Sequence, residues 1–168
     1  RQMCIRDRQM ESYTESREHI ADENILTLSK DGENVIVFML DRAIGTYMPY
    51  LLEENESIKE MFDGFTYYPN TLSFGKSTNF CTPALFAGYE YTPENINKRD
   101  KESLKDKQNE ALKVMPVLFS ENGFNVVVTD PPYAGYTWDP DLSIYDGYGN
   151  IKAYITEGAY LSLIHISE

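Results

Sequence analysis

The sequence predicts an α/β protein, an α/β/α sandwich around a largely parallel sheet, and three observations carry that prediction. Two short apolar runs rich in β-branched residues, NVIVFML (34–40) and NVVVTD (125–130), lack polar alternation, which is the pattern of strands buried on both faces. A stretch of helical periodicity lies between them. The order strand, helices, strand, helix, long helix, strand alternates as α/β chains do. At 168 residues the chain has the length of one domain with a sizeable core.

Taken in order, residues 9–33 are polar and weakly patterned until ILTLS (25–29) and read as a linker. The first strand ends at Asp41, and the chain turns through Gly45 into YMPYLLEE, where Pro49 stands early enough to begin a helix. A second short helix is expected at SIKEMF (57–62), stopped by Gly64. FTYYPNTLSF (65–74) is aromatic and β-branched and reads as a strand or extended segment. GKSTNFCTPALFAG (75–88) reads as a tight turn feeding a helix, and 89–100 as a polar loop. From Lys101 to Asn122 the spacing puts Leu104, Ala111, Leu112, Met115, Leu118 and Phe119 on one helix face. Pro116 should kink that helix and Gly123 end it. The strand 125–130 runs into Pro131 and Pro132, and the tyrosine-rich 133–160 reads as a loop, packed on the sheet or forming a lid.

The formal charge of −12 repels phosphate backbones and argues against nucleic acid as a partner. No apolar run reaches the length of a membrane span. Cys4 and Cys81 form neither a disulfide framework nor a metal-ligand spacing. The ends, RQMCIRDR (1–8) and SLIHISE (162–168), resemble peptides that arise when sequencing-adapter DNA is translated in metagenomic assemblies. On that expectation the gene continues past both ends, and Cys4 and His165 carry no biological role.

Ligands of open α/β sheets bind at the carboxyl ends of strands, which directs attention to Asp41, the 75–79 turn and Asp130. Asp41 can leave the apolar sheet and offer a carboxylate to a hard or borderline cation. Taken singly, it is also an ordinary strand-ending residue that caps the next helix. Thr78, like Ser77, could be a plain helix cap. A hydroxyl at a helix start is also surrounded by free N–H groups and the positive end of the dipole, which favours a tetrahedral oxyanion. Threonine becomes a nucleophile once a metal helps to deprotonate it, so the two functional readings support each other.

The run NVIVFMLD (34–41), then Gly75-x-x-Thr78, then Pro83-x-x-Phe86 is similar to the opening of sulfatase-like domains of the alkaline phosphatase superfamily. The pattern is nearest to lipoteichoic acid synthases and phosphoethanolamine transferases, and the resemblance covers about 34 to 130. It implies an alkaline-phosphatase-like sandwich, truncated here, with Asp41 as a metal ligand and Thr78 as nucleophile and metal contact. A divalent ion, zinc or manganese, would be the cofactor, its site incomplete in this fragment. It also implies a parent anchored by transmembrane helices upstream of residue 9, on the extracytoplasmic face of a bacterial membrane, acting on small-molecule, lipid or glycan phosphate esters. The expected division is 1–8 and 161–168 adapter-derived, 9–33 linker, and 34–160 the N-terminal part of a catalytic domain.

Two departures bound the resemblance. The family's downstream Asp-His pair and further His have no counterpart, since no histidine lies between His19 and His165. The sulfatase motif Cys-x-Pro-x-Arg is absent, because Cys81 precedes Thr82-Pro83 with no arginine after it, so Cys81 reads as a small buried helix residue. Lys76 and Arg42 flank the two key positions and could contact a phosphoryl group, or be a solvated lysine and a surface-paired arginine. Asn79 could donate to the same oxyanion, or simply start the helix. The reading is a fragment of a metal-dependent phosphotransferase or hydrolase, inactive by itself. The alternatives are a non-catalytic surface module binding glycan or a protein, and a sulfatase.

Overall fold

The computed structural model describes residues 25–41 and 43–156, and the backbone of 161–167. Strand β1 spans Asn34–Leu40, preceded by a turn in which the Asn34 side chain bonds Ser29 on both its N–H and its carbonyl. Two short helices follow, α1 (Met48–Glu54) and α2 (Glu56–Met61). Pro49 stands in the first turn of α1, where its missing N–H costs nothing. The Asn55 side chain caps α2 by accepting from Ser57 N–H. Neither helix has a buried residue.

The segment 65–74 is not a strand. It runs as turns and irregular backbone, tied back by Tyr67 Oη donating to the Gly45 carbonyl at 3.0 Å. Its aromatic composition supports pairing only where the segment meets the edge of another strand, and among the described residues it pairs with none. Helix α3 then spans Thr78–Ala87. The expected loop over 89–100 contains a 3₁₀ turn (Tyr89–Tyr91) and helix α4 (Pro93–Asn97), opened by Pro93 at its start.

Helix α5 spans Leu104–Glu121, capped by the Ser103 hydroxyl on Asp106 N–H. Gly123 at φ 92° turns the chain out of it, a conformation in which a side chain is strained. The buried face of α5 is Lys107, Gln108, Ala111, Leu112 and Pro116. Leu104 and Leu118, expected on that face, are exposed at 51% and 57%. Polar residues displace them because they hold the surrounding loops. Lys107 Nζ donates to the Ile96 carbonyl, Gln108 to that of Pro132, and the Asn109 side chain accepts from Gly135 N–H.

Strand β2 (Asn125–Thr129) follows, then 3₁₀ turns at Ala134–Tyr136 and Leu142–Tyr145, strand β3 (Ile151–Tyr154) and strand β4 (Leu161–Ser167). The expected loop 133–160 therefore contributes a strand, and Ala134, Tyr145 and Ile151 from it enter the core. Burial pushes the Tyr145 hydroxyl pKa up, and that hydroxyl bonds the Leu112 carbonyl. Trp138 is 81% exposed.

The sheet order is β1-β4-β2-β3. β2 and β3 are parallel, while β4 is antiparallel to both β1 and β2. The fold is thus mixed α/β with a small parallel element, and β1, β2 and β3 share one direction. The segment 161–167, which the sequence reading gave no structural part, lies in the middle of the sheet.

The core joins Phe86 of α3 and Leu112 of α5 to Val126, Val128 and Ile151, with Val35, Val37 and Met39 packed against it. Burying a side chain of this size contributes about 1.5–3 kcal/mol, which sets the face each strand turns inward. The opposite face of β1 is open. Ile36, Phe38 and Leu40 are 43%, 60% and 59% exposed. The continuous run 34–40 predicts burial on both faces, and among the described residues only one is covered.

Candidate functional site

Because β1 and β2 point the same way, the residues that follow them, Asp41 and Asp130, emerge at one edge of the sheet. The chain from β1 returns to that edge at the start of α3. Thr78 is the first residue of α3 and Ser77 its N-cap, in extended conformation at φ −137° and ψ 149°. The Ser77 side chain makes no capping bond. The Thr78 hydroxyl reaches instead across the fold and donates to Asp41 Oδ1 at 3.2 Å. Both residues are half-buried. The structure therefore joins the two residues singled out by the sequence, and neither hydroxyl acts as the simple helix cap that was the other reading.

Main-chain bonds hold the start of α3. Phe80 and Cys81 N–H donate to the Ser77 carbonyl, and Thr82 Oγ1 donates to that of Thr78 at 2.7 Å. Thr82 is 1% exposed, so its hydroxyl is satisfied by the preceding turn. Gly75 has no room for a side chain: a Cβ there would lie 2.9 Å from Phe80 Cβ. The turn can pass this close to the helix only with glycine.

Lys76 is exposed and Asn79 half-buried. Both flank Thr78, and among the described residues neither side chain makes a hydrogen bond or ion pair. Arg42, His19 and Cys4 lie outside the described residues, as does the side chain of His165.

Asp130 stands at the same sheet edge with a different task. It is separated from β1 by one intervening strand, a lateral offset on the order of 10 Å. Its carboxylate accepts from Thr156 N–H at 2.7 Å and from the Thr156 hydroxyl. It holds a left-handed backbone at φ 49°, a conformation aspartate tolerates better than most residues. Desolvation raises its pKa above the ordinary aspartate value, against the lowering effect of the Thr156 bonds. A raised carboxylate pKa means that the folded state keeps a proton which the unfolded chain releases. Stability therefore falls as pH rises through the window just above the ordinary carboxylate range, by at most about 1.4 kcal/mol per pH unit. Asp130→Asn is expected to flatten that slope, read as the urea midpoint against pH. An unchanged slope in the variant assigns the pH dependence elsewhere.

With this geometry established, comparison with protein-family models, curated proteins and solved structures finds no match to the chain.

Asp41 and Thr78 offer two oxygen donors, chemistry that suits a divalent cation. Among the described residues no group of three His, Cys, Asp or Glu side chains could complete a metal site. No helix there is long and apolar enough to cross a membrane. The sequence reading missed the side chains that hold the 73–75 turn. Ser73 and Cys81, eight residues apart, both bond at Gly75, and their one visible signal is the glycine itself.

Proposed function

We propose that this chain is the N-terminal part of a sulfatase-like domain with an alkaline-phosphatase-like α/β/α sandwich, in a metal-dependent phosphotransferase or hydrolase. The single observation that supports the reading is the Thr78–Asp41 hydrogen bond, formed across 37 residues of chain. Thr78 Oγ1 attacks the phosphorus of a phosphate ester as the P–O bond to the leaving alcohol breaks, giving a phosphothreonine that passes to an acceptor hydroxyl or water. Asp41 Oδ1 already accepts the hydroxyl proton and orients the oxygen lone pairs. The uncapped start of α3 turns its N–H groups and positive dipole end toward the developing phosphoryl charge. Asp41 and Thr78 would hold the ion, zinc or manganese, which when bound supplies Lewis acidity and charge neutralisation. Lys76, Asn79 and Arg42 would contact the phosphoryl group.

The substrate class is a small-molecule, lipid or glycan phosphate ester. The parent is anchored by upstream helices on the extracytoplasmic side of a bacterial membrane. The remaining ligands lie in sequence after Tyr160. The test is trapping: exposed to substrate, the full-length protein should yield a phosphorylated peptide spanning Gly75 to Gly88. A label on another residue, or none in an active protein, overturns the proposal. The second reading is a non-catalytic module that binds glycan or protein. A full-length sequence lacking downstream His and Asp would decide for it.

The adapter origin of 1–8 and 161–168 belongs to the same proposal, under which β4 fills in this chain a place beside β1 and β2 that the parent fills with its own sequence. Resequencing the locus from unamplified DNA should give different codons at both ends. Recovery of the same ends followed by a stop codon would refute it.

A further inference from the structure

The turn before Thr78 is held from both sides by side chains. Ser73 Oγ donates to the Gly75 carbonyl at 2.7 Å and accepts from Gly75 N–H at 3.3 Å. From one turn inside α3, the Cys81 thiol reaches back to the same carbonyl at 3.0 Å and lies 2.8 Å from Ser73 Oγ. Each of the two side chains has one proton. With the Ser73 proton on the Gly75 carbonyl, the thiol proton is shared between Ser73 Oγ and that carbonyl, and no donor conflicts. Both main-chain polar groups of Gly75 are thereby engaged three residues before Thr78.

We propose that Ser73 and Cys81 form a latch that sets the Gly75–Ser77 turn, and through it the position of the Thr78 hydroxyl against Asp41. They are positioning residues, since their bonds go to the turn and to each other. The need for such a latch follows from the missing cap. Ser77 gives the start of α3 no side-chain bond, so the direction of entry depends on the turn upstream. Displacing a reacting group by about 1 Å can lower a rate roughly 10²-fold, so a loosened turn would reach the chemistry without touching it.

The inference rests on Thr78 as nucleophile, and its test separates the two. In the full-length protein, Cys81→Ala and Ser73→Ala should each lower kcat by about 10- to 100-fold with KM little changed. The double variant should lose no more than either single one. Cys81→Ser, which keeps a donor in place, should recover a substantial part of the rate. Independently of activity, Ser73→Ala should speed alkylation of Cys81 by N-ethylmaleimide several-fold in the 168-residue chain carrying Cys4→Ser. Unchanged alkylation overturns the latch. If Thr78→Ala is inactive while Cys81→Ala keeps the wild-type kcat, the latch is likewise wrong and the nucleophile stands. If Cys81→Ser is as slow as Cys81→Ala and both unfold earlier, Cys81 is only packing, which also overturns it. If Thr78→Ala stays active, the nucleophile reading fails, and the alkylation result alone decides whether the turn is latched.

Discussion

Thr78→Ala is expected to lower phosphoryl transfer by the full-length protein about 10³-fold or more, with the fold retained. Thr78 is the first residue of α3 rather than its cap, so alanine, a good helix former, removes no capping bond. What is lost is one half-buried hydrogen bond to Asp41, worth about 1 kcal/mol of stability. That is too little to unfold a domain of ordinary stability, so a large loss of rate would report chemistry. Thr78→Ser keeps the hydroxyl and should keep part of the rate. Asp41→Asn preserves an acceptor for the hydroxyl but removes an anionic donor, and should lower metal affinity more than it lowers stability. Steady-state kinetics, metal titration and urea unfolding on the three variants separate these effects. A Thr78→Ala protein that turns over at the normal rate would end the proposal.

Deleting 161–168 is expected to abolish cooperative unfolding of the chain. Among the described residues β1 has one partner, β4, paired along seven positions from Asn34 opposite Ser167 to Leu40 opposite Leu161. β4 also pairs with β2 along five positions. Without it both inner ladders are lost. Each ladder bond contributes about 0.5–1.5 kcal/mol net, and the apolar packing of Val35, Val37 and Met39 goes with them. Together these are of the same size as the roughly 5–15 kcal/mol that keeps a domain folded. Urea titration followed by circular dichroism should show a broad, shallow transition in place of a sharp one. A sharp transition at the original midpoint would mean that β1 docks directly on β2. The two strands already share a direction, so that docking would make the parallel sheet which their apolar runs suggest.

Local chemistry determined by itself where β1, α1, α2, α3, α5 and β2 begin and end, to within about three residues. Pro49, Gly64, Ser103 and Gly123 act within one turn of where they stand, and each does in the structure what its backbone preference dictates. The sequence also singled out Asp41 and Thr78, from the end of an apolar run and the start of a helix. Their hydrogen bond was beyond it, because a contact across 37 residues depends on how the sheet and α3 pack. Tertiary structure likewise decided that 65–74 stays out of the sheet, since strand propensity acts only when a partner edge is present. It turned Lys107 and Gln108 inward in place of Leu104 and Leu118, where the polar pair donates to the Ile96 and Pro132 carbonyls and ties the neighbouring loops to α5. It placed 161–167 between β1 and β2, since two strands running the same way leave between them a pair of edges that any extended segment can fill.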